Sequence, residues 1–177
     1  MSIAFIGAGN MAGSLINGLI ESGTAPREIA VADPVATQLE KFSALGVSAA
    51  ASNDSAVEDA DVVVLAVKPQ VTGQVLTQLS GLKPHQLIIS IVAGIDLRSL
   101  EAWLPEKQPI VRCMPNTPAL LGAGMTGLFA NKQVSHSQKD SATHILSAVG
   151  EVAWVTKETH LDAVTALSGS GPAYFFL

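Results

Sequence analysis

The chain has 177 residues, a net charge of −5 and a single cysteine. That is enough chain for one self-sufficient core. It excludes a disulfide framework, a zinc site built on several thiolates, and a basic footprint for nucleic acid or anionic lipid. Charged residues are only 14% of the total, against about 25% in ordinary soluble domains, which predicts a surface partly covered by a partner or a further domain.

The elements follow in chain order. Residues 2–6 read as a buried strand. Residues 11–21 read as a helix, with Met11, Leu15 and Leu19 on one face and Ala12, Ile16 and Ile20 beside them. Residues 29–32 form a second strand. A second helix is predicted over 34–45, with Asp33 as N-cap and Pro34 at its first position. A short strand follows near Val47. Strands at 61–67, 87–92 and 110–114 alternate with helices at 71–79 and 97–104. Apolar strands alternating with helices imply a mainly parallel, doubly wound α/β sheet covered on both faces.

The texture changes after residue 115. A strand is predicted over 125–130. Ser135 with Gln138 forms a capping-box start for a helix that buries Ala142, Ile145, Leu146 and Val149, with Gly150 closing it. Residues 151–155 read as a last strand and 158–167 as a helix. Ser168 to Pro172 breaks that helix, and a new apolar helix is predicted from Pro172. The apolar, uncapped end at Tyr174-Phe175-Phe176-Leu177 predicts an element cut partway. The central apolar run at 62–67 is far below the ~20 residues of a membrane span. With no charged leader before Ile3, these features predict a cytoplasmic chain without membrane partners.

The strongest motif is Gly7-Ala8-Gly9-Asn10-Met11-Ala12, a G-x-G-x-x-A turn between a predicted strand and a predicted helix. Gly7 permits the tight turn, Gly9 lets backbone approach a pyrophosphate, and Ala12 and Gly13 let the helix lie close on the sheet. The helix N-terminus then offers free N–H groups to phosphates, as in a Rossmann-type fold. Asp33 ends the second strand. There its carboxylate can accept an adenosine ribose 2′-hydroxyl, which favours NAD(H). Alternatively it caps the next helix and turns away, leaving room for NADP(H). Lys68-Pro69 ends the central strand at the edge where ligands of such sheets bind, and Lys68 there can face a phosphate or a substrate carboxylate. Small residues at Ser90 to Gly94 leave room for a flat ring. Met114-Pro115-Asn116-Thr117-Pro118 is a rigid polar loop. Cys113 reads as core. His85, His136, His144 and His160 show no metal-binding spacing, and no metal is expected. No nucleophile elbow, P-loop lysine or H-E-x-x-H is present.

Four segments, in order, carry a resemblance: 5–11, 66–70, 111–118 and 162–174. With them the chain resembles Δ1-pyrroline-5-carboxylate reductase. The resemblance implies NADPH- or NADH-dependent reduction of 1-pyrroline-5-carboxylate, a cyclic imine, to L-proline. It places cofactor contacts on Ile6, Gly7, Ala8, Gly9, Asn10, Met11, Asp33, Asn53, Ala66, Val67, Lys68, Pro69, Ala93 and Asn116, and a substrate contact on Glu158. Asp33 stands where the family often has a serine or an asparagine–arginine pair. The resemblance also implies a cofactor domain over 1–157, the start of a helical domain at 158–177, and self-association and catalytic groups in the remainder of that domain. A protonated imine is already electrophilic, so the protein has mainly to position the nicotinamide and exclude water. The chain by itself is expected to bind cofactor and to be inactive or weakly active. Two other readings are a related imine or β-hydroxyacid oxidoreductase and a non-enzymatic dinucleotide-binding module.

Overall fold

The computed structural model describes residues 1–171 and Tyr174. Strands β1 (Ile3–Ile6), β2 (Ile29–Ala32), β3 (Ser48–Ala49), β4 (Val62–Leu65), β5 (Leu87–Ser90) and β6 (Ile110–Met114) run parallel. Strand β7 (Gly124–Ala130) pairs antiparallel with β6, and β8 (Gly150–Trp154) runs parallel to β7. The sheet order is β3-β2-β1-β4-β5-β6-β7-β8. The first six strands therefore have the 3-2-1-4-5-6 order of a Rossmann-type, doubly wound sheet. Every residue of β1, β4 and β5 is buried, which is why these strands lack polar alternation.

Helices cover both faces. On one, α1 (Asn10–Glu21) packs Leu15, Ile16 and Leu19, α2 (Ala36–Ser43) packs Phe42, and α6 (His136–Ser147) packs Ile145 and Leu146 against Phe5, Val64 and Ile89. On the other, α3 (Asn53–Val57), α4 (Pro69–Gln78) and α5 (Leu97–Trp103) bring Val57, Leu76 and Leu100 onto Ile6, Val63 and Ile88. A last helix, α7 (His160–Val164), buries Leu161, with Gly127 of β7 leaving the space for it.

Several expected boundaries are corrected. Helix α2 starts at Ala36 with Val35 as its N-cap residue, because the Asp33 carboxylate is already engaged elsewhere. Strand β4 stops at Leu65: β1 turns away at Gly7, so the Ala66 N–H makes a last hydrogen bond to the Ile6 carbonyl and the ladder ends there. Helix α6 ends before Gly150, whose φ of 142° instead opens β8. The close approach on α1 is at Gly18, against the Ala148 carbonyl, whereas Gly13 merely faces Phe42. The predicted break at Ser168 is absent. The chain widens into a π turn over Thr165–Ser170 and stays helical at Gly171. There the Thr165 and Ser168 hydroxyls donate to the Leu161 and Val164 carbonyls, loosening the helix without ending it. The helix predicted from Pro172 lies outside the described residues, Tyr174 excepted.

Helix α3 has no counterpart in the sequence reading. It is only five residues long and is set by a Ser52–Ser55 capping box. Its Asp54 accepts hydrogen bonds from the N–H groups of Gly81 and Ser80, which hold its carboxyl below the usual range. Asp96 caps α5 and is lowered by the Ser99 hydroxyl and N–H. A carboxyl lowered in the folded state stabilises above its unfolded pKa, and the contribution is lost as pH falls through the folded value. The stability difference between wild type and Asp54→Asn in urea melts is therefore expected to be constant above pH ~5 and to shrink below pH ~4.

Candidate functional site

The carboxyl ends of β1, β2 and β4 meet where the strand order reverses, the usual ligand crevice of such sheets. A cleft of about 830 Å³ opens there, in the size range of small-molecule sites. Of the predicted contacts, Ile6, Gly7, Gly9, Asp33, Asn53, Ala66, Val67 and Lys68 line it.

The turn at its base follows from two glycines. Gly7 has φ +100°, and a Cβ there would lie 2.5 Å from the Ala66 carbonyl oxygen. Gly9 has an ordinary φ of −69° and is the N-cap residue of α1; a Cβ on it would meet nothing within 4 Å. No side chain caps α1, and its first turn holds no acidic residue. Twelve residues of helix thus present an uncapped N-terminus, with the partial positive charge that suits a phosphate. Helix α4 starts the same way, with Lys68 as N-cap residue and Pro69 at N1, and it has no side-chain cap. A dinucleotide fits this donor set and this volume.

Ala8 is buried, and its N–H donates to Asp33 Oδ2 at 2.8 Å. Asp33 Oδ1 accepts from the Val35 N–H at 2.9 Å. Asn10 lines a separate hollow of about 250 Å³ with Ser14, Lys41 and Phe42. Met11 packs on the core. Pro69 and the exposed Ala93 are outside the cleft lining. Asn116 Oδ1 accepts from the Met125 N–H, which ties the 3₁₀ turn Thr117–Leu121 to β7. The sequence reading missed one wall of the cleft: Val71, Gln74, Val75 and Gln78 of α4. Their i, i+3, i+4, i+7 spacing marks one helix face and was the available signal.

Glu158 is held away from this cleft. Its Oε1 accepts from Arg112 Nη1 at 2.8 Å and from the Leu97 N–H at 2.7 Å. Arg112 Nη2 also lies 3.5 Å from Asp162 Oδ1. Arg112 is nearly buried, so Glu158 and the more exposed Asp162 neutralise a charge that water solvates poorly. Glu158→Ala is expected to cost about 2–3 kcal/mol in urea unfolding, with Glu158→Gln recovering part of it because the acceptor oxygen remains.

Cys113 is buried and donates to the Ser90 carbonyl. Burial pushes its thiol far above the ordinary range. The native chain is expected to resist iodoacetamide, and alkylation should appear only when urea unfolds it.

Among the described residues no helix is long and apolar enough to cross a membrane.

Comparison with known proteins agrees with this geometry. The family model described as NADP oxidoreductase, coenzyme F420-dependent, matches residues 2–94. The pyrroline-5-carboxylate reductase of Pseudomonas aeruginosa is 56% identical over 99% of this chain and 65% of its own length. The chain thus spans about two thirds of that relative. Among solved structures, the Coxiella burnetii pyrroline-5-carboxylate reductase is 44% identical and superposes with a TM-score of 0.93, over 99% of this chain and 66% of that one. The Plasmodium falciparum pyrroline carboxylate reductase with NADP bound is 30% identical, with a TM-score of 0.87 over 99% and 65%. With the family model covering more than half of it, the chain belongs to the family described as NADP oxidoreductase, coenzyme F420-dependent, and within it resembles the pyrroline-5-carboxylate reductases.

Proposed function

We propose that this chain is the cofactor-holding part of an NAD(P)H-dependent pyrroline-5-carboxylate reductase, which reduces 1-pyrroline-5-carboxylate to L-proline. The observation that carries the reading is the uncapped α1 N-terminus at the base of a cleft at the strand-order reversal, in a chain 56% identical to such a reductase. When bound, the nicotinamide supplies the two electrons and the hydrogen for the imine carbon. The α1 N-terminus and the Gly9 backbone receive the pyrophosphate, and Asp33 and Asn53 lie toward the adenosine half. Ala66 to Lys68 lead toward the nicotinamide half.

The domain boundary is placed at 157/158, between β8 and α7, with residues 158–177 starting a helical unit. Catalytic groups and self-association are assigned to the part of such reductases that this chain does not span, in a cytoplasmic enzyme. Glu158 is assigned to substrate contact through its second carboxylate oxygen, which has no hydrogen-bond partner among the described residues. The test is a titration of the chain followed by nicotinamide fluorescence, paired with a turnover assay on pyrroline-5-carboxylate. Saturable binding with little turnover is expected. A folded chain that binds neither NADH nor NADPH refutes the cofactor reading, and an ordinary enzymatic rate refutes the placement of the catalytic groups.

A further inference from the structure

We infer, independently of the cofactor reading, that Arg112 is a latch: it pins the segment leaving β8 onto the sheet, and so sets the direction in which residues 165–171 run past the carboxyl edge of β6.

The segment has few other anchors. The Val155 N–H donates to the Leu128 carbonyl at 2.8 Å, just past the end of β8. Thr156 and Lys157 are then exposed. Helix α7 and the π turn after it are together shorter than a helix needs to be in order to stand without packing. Thr159 is the N-cap residue of α7 but makes no side-chain cap bond, and Leu161 is the one buried residue of that helix. Val164 joins Leu161 over Gly127. None of the residues Thr165–Ser170 is buried, and Leu167 is 78% exposed. Gly169 comes against the Met114 side chain at the end of β6. The path of residues 165–171 is therefore fixed where α7 meets the sheet.

Arg112 lies on β6 between Val111 and Cys113, whose side chains pack with α1 and α6 on one face. Strand alternation sends the guanidinium to the other face, beside α5. Glu158 and Asp162 are four positions apart and share one side of the first helical turn. The planar fork takes both. Arg112 Nη1 donates to Glu158 Oε1 at 2.8 Å, and Nη2 lies 3.5 Å from Asp162 Oδ1. The same Glu158 oxygen accepts from the Leu97 N–H at 2.7 Å. Arg112 also helps to lower the Asp96 carboxyl, after the Ser99 hydroxyl and N–H. Three remote segments, β6, the start of α5 and the start of α7, thus meet at one guanidinium. Were α7 to lift, the nearly buried Arg112 would lose both ion-pair partners and the Leu97 N–H its acceptor. That penalty, more than the packing of one leucine, holds the segment down.

The test is hydrogen exchange by mass spectrometry on the 177-residue chain in increasing, sub-denaturing urea, with tryptic cleavage after Lys157 as a second readout. In the wild type, residues 158–171 are expected to exchange through a local opening that depends weakly on urea. Strands β1 and β4 are expected to exchange through global unfolding, which depends on urea steeply. Arg112→Met removes the guanidinium and keeps an unbranched apolar stem. It is expected to speed both the local exchange and the cleavage after Lys157 by about tenfold or more. Arg112→Lys keeps the charge without the fork and is expected to fall between wild type and Arg112→Met. Asp162→Asn, at the exposed partner, is expected to speed the local exchange about twofold. These two variants carry the test if Arg112→Met is unfolded by circular dichroism, and Leu161→Ala is the packing control. Wild-type exchange of 158–171 in folded Arg112→Met or Arg112→Lys, with opening only in Leu161→Ala, overturns the inference, because packing then holds α7 unaided. So does exchange of 158–171 in step with β1 and β4 at every urea concentration, because the segment then has no opening of its own to latch.

Discussion

Gly7→Ala is expected to destabilise the chain by about 3 kcal/mol, lowering Tm by roughly 6–12 °C. Two costs combine. Gly7 sits at φ +100°, where an L side chain is strained by ~1–3 kcal/mol. Its new Cβ would also lie 2.5 Å from the Ala66 carbonyl oxygen. That oxygen is part of backbone, so it cannot rotate aside, and β1 would have to separate from the chain leaving β4. Both strands are central to the sheet, and the strain therefore reaches the core. Urea and thermal melts followed by circular dichroism test this directly. A melt indistinguishable from wild type would show that the turn relaxes more readily than its geometry indicates.

Gly9→Ala, two residues later, is expected to do the opposite. The backbone there is ordinary, and the added Cβ meets nothing within 4 Å, so stability should change by less than about 0.5 kcal/mol. The space it enters is the space a pyrophosphate needs in order to reach the α1 N–H groups. Losing one or two charge-assisted hydrogen bonds corresponds to ~2.7 kcal/mol, or about a 100-fold weaker dissociation constant for either cofactor. An unchanged melt with lost binding separates a ligand glycine from a structural one. Retained binding would place the pyrophosphate elsewhere.

The contrast between these glycines shows what a linear reading leaves out. The motif Gly7-Ala8-Gly9 was legible because its spacing, and the strand and helix on either side, encode one purpose. The division of labour between the two glycines depends on Ala66, which follows strand β4, 59 positions along the chain from Gly7. Likewise the strand cores were legible from continuous apolar runs, since a strand buried on both faces needs no alternation. Helix α3 was not, because five residues are too few to show a period and its cap partner is a serine.

Glu158 is the clearest case of a residue whose setting the sequence did not reveal. Resemblance marked it for the substrate, but its local sequence says nothing of Arg112, a buried guanidinium on β6. Nor does it mention the Leu97 N–H at the start of α5. Cys113 was legible as core, since it lies beside Met114 in a mostly apolar strand.

By itself the sequence determined the class of fold, the glycine turn between the first strand and helix, and the family resemblance, because each is written in local period or contiguous motif. Tertiary structure alone decided which way Asp33 turns, what Arg112 holds, and that one face of α4 closes the cleft. Those outcomes are hydrogen bonds and packing between segments far apart in the chain. Their energies depend on which donors are left unpaired once the sheet is assembled, and no local window contains that information.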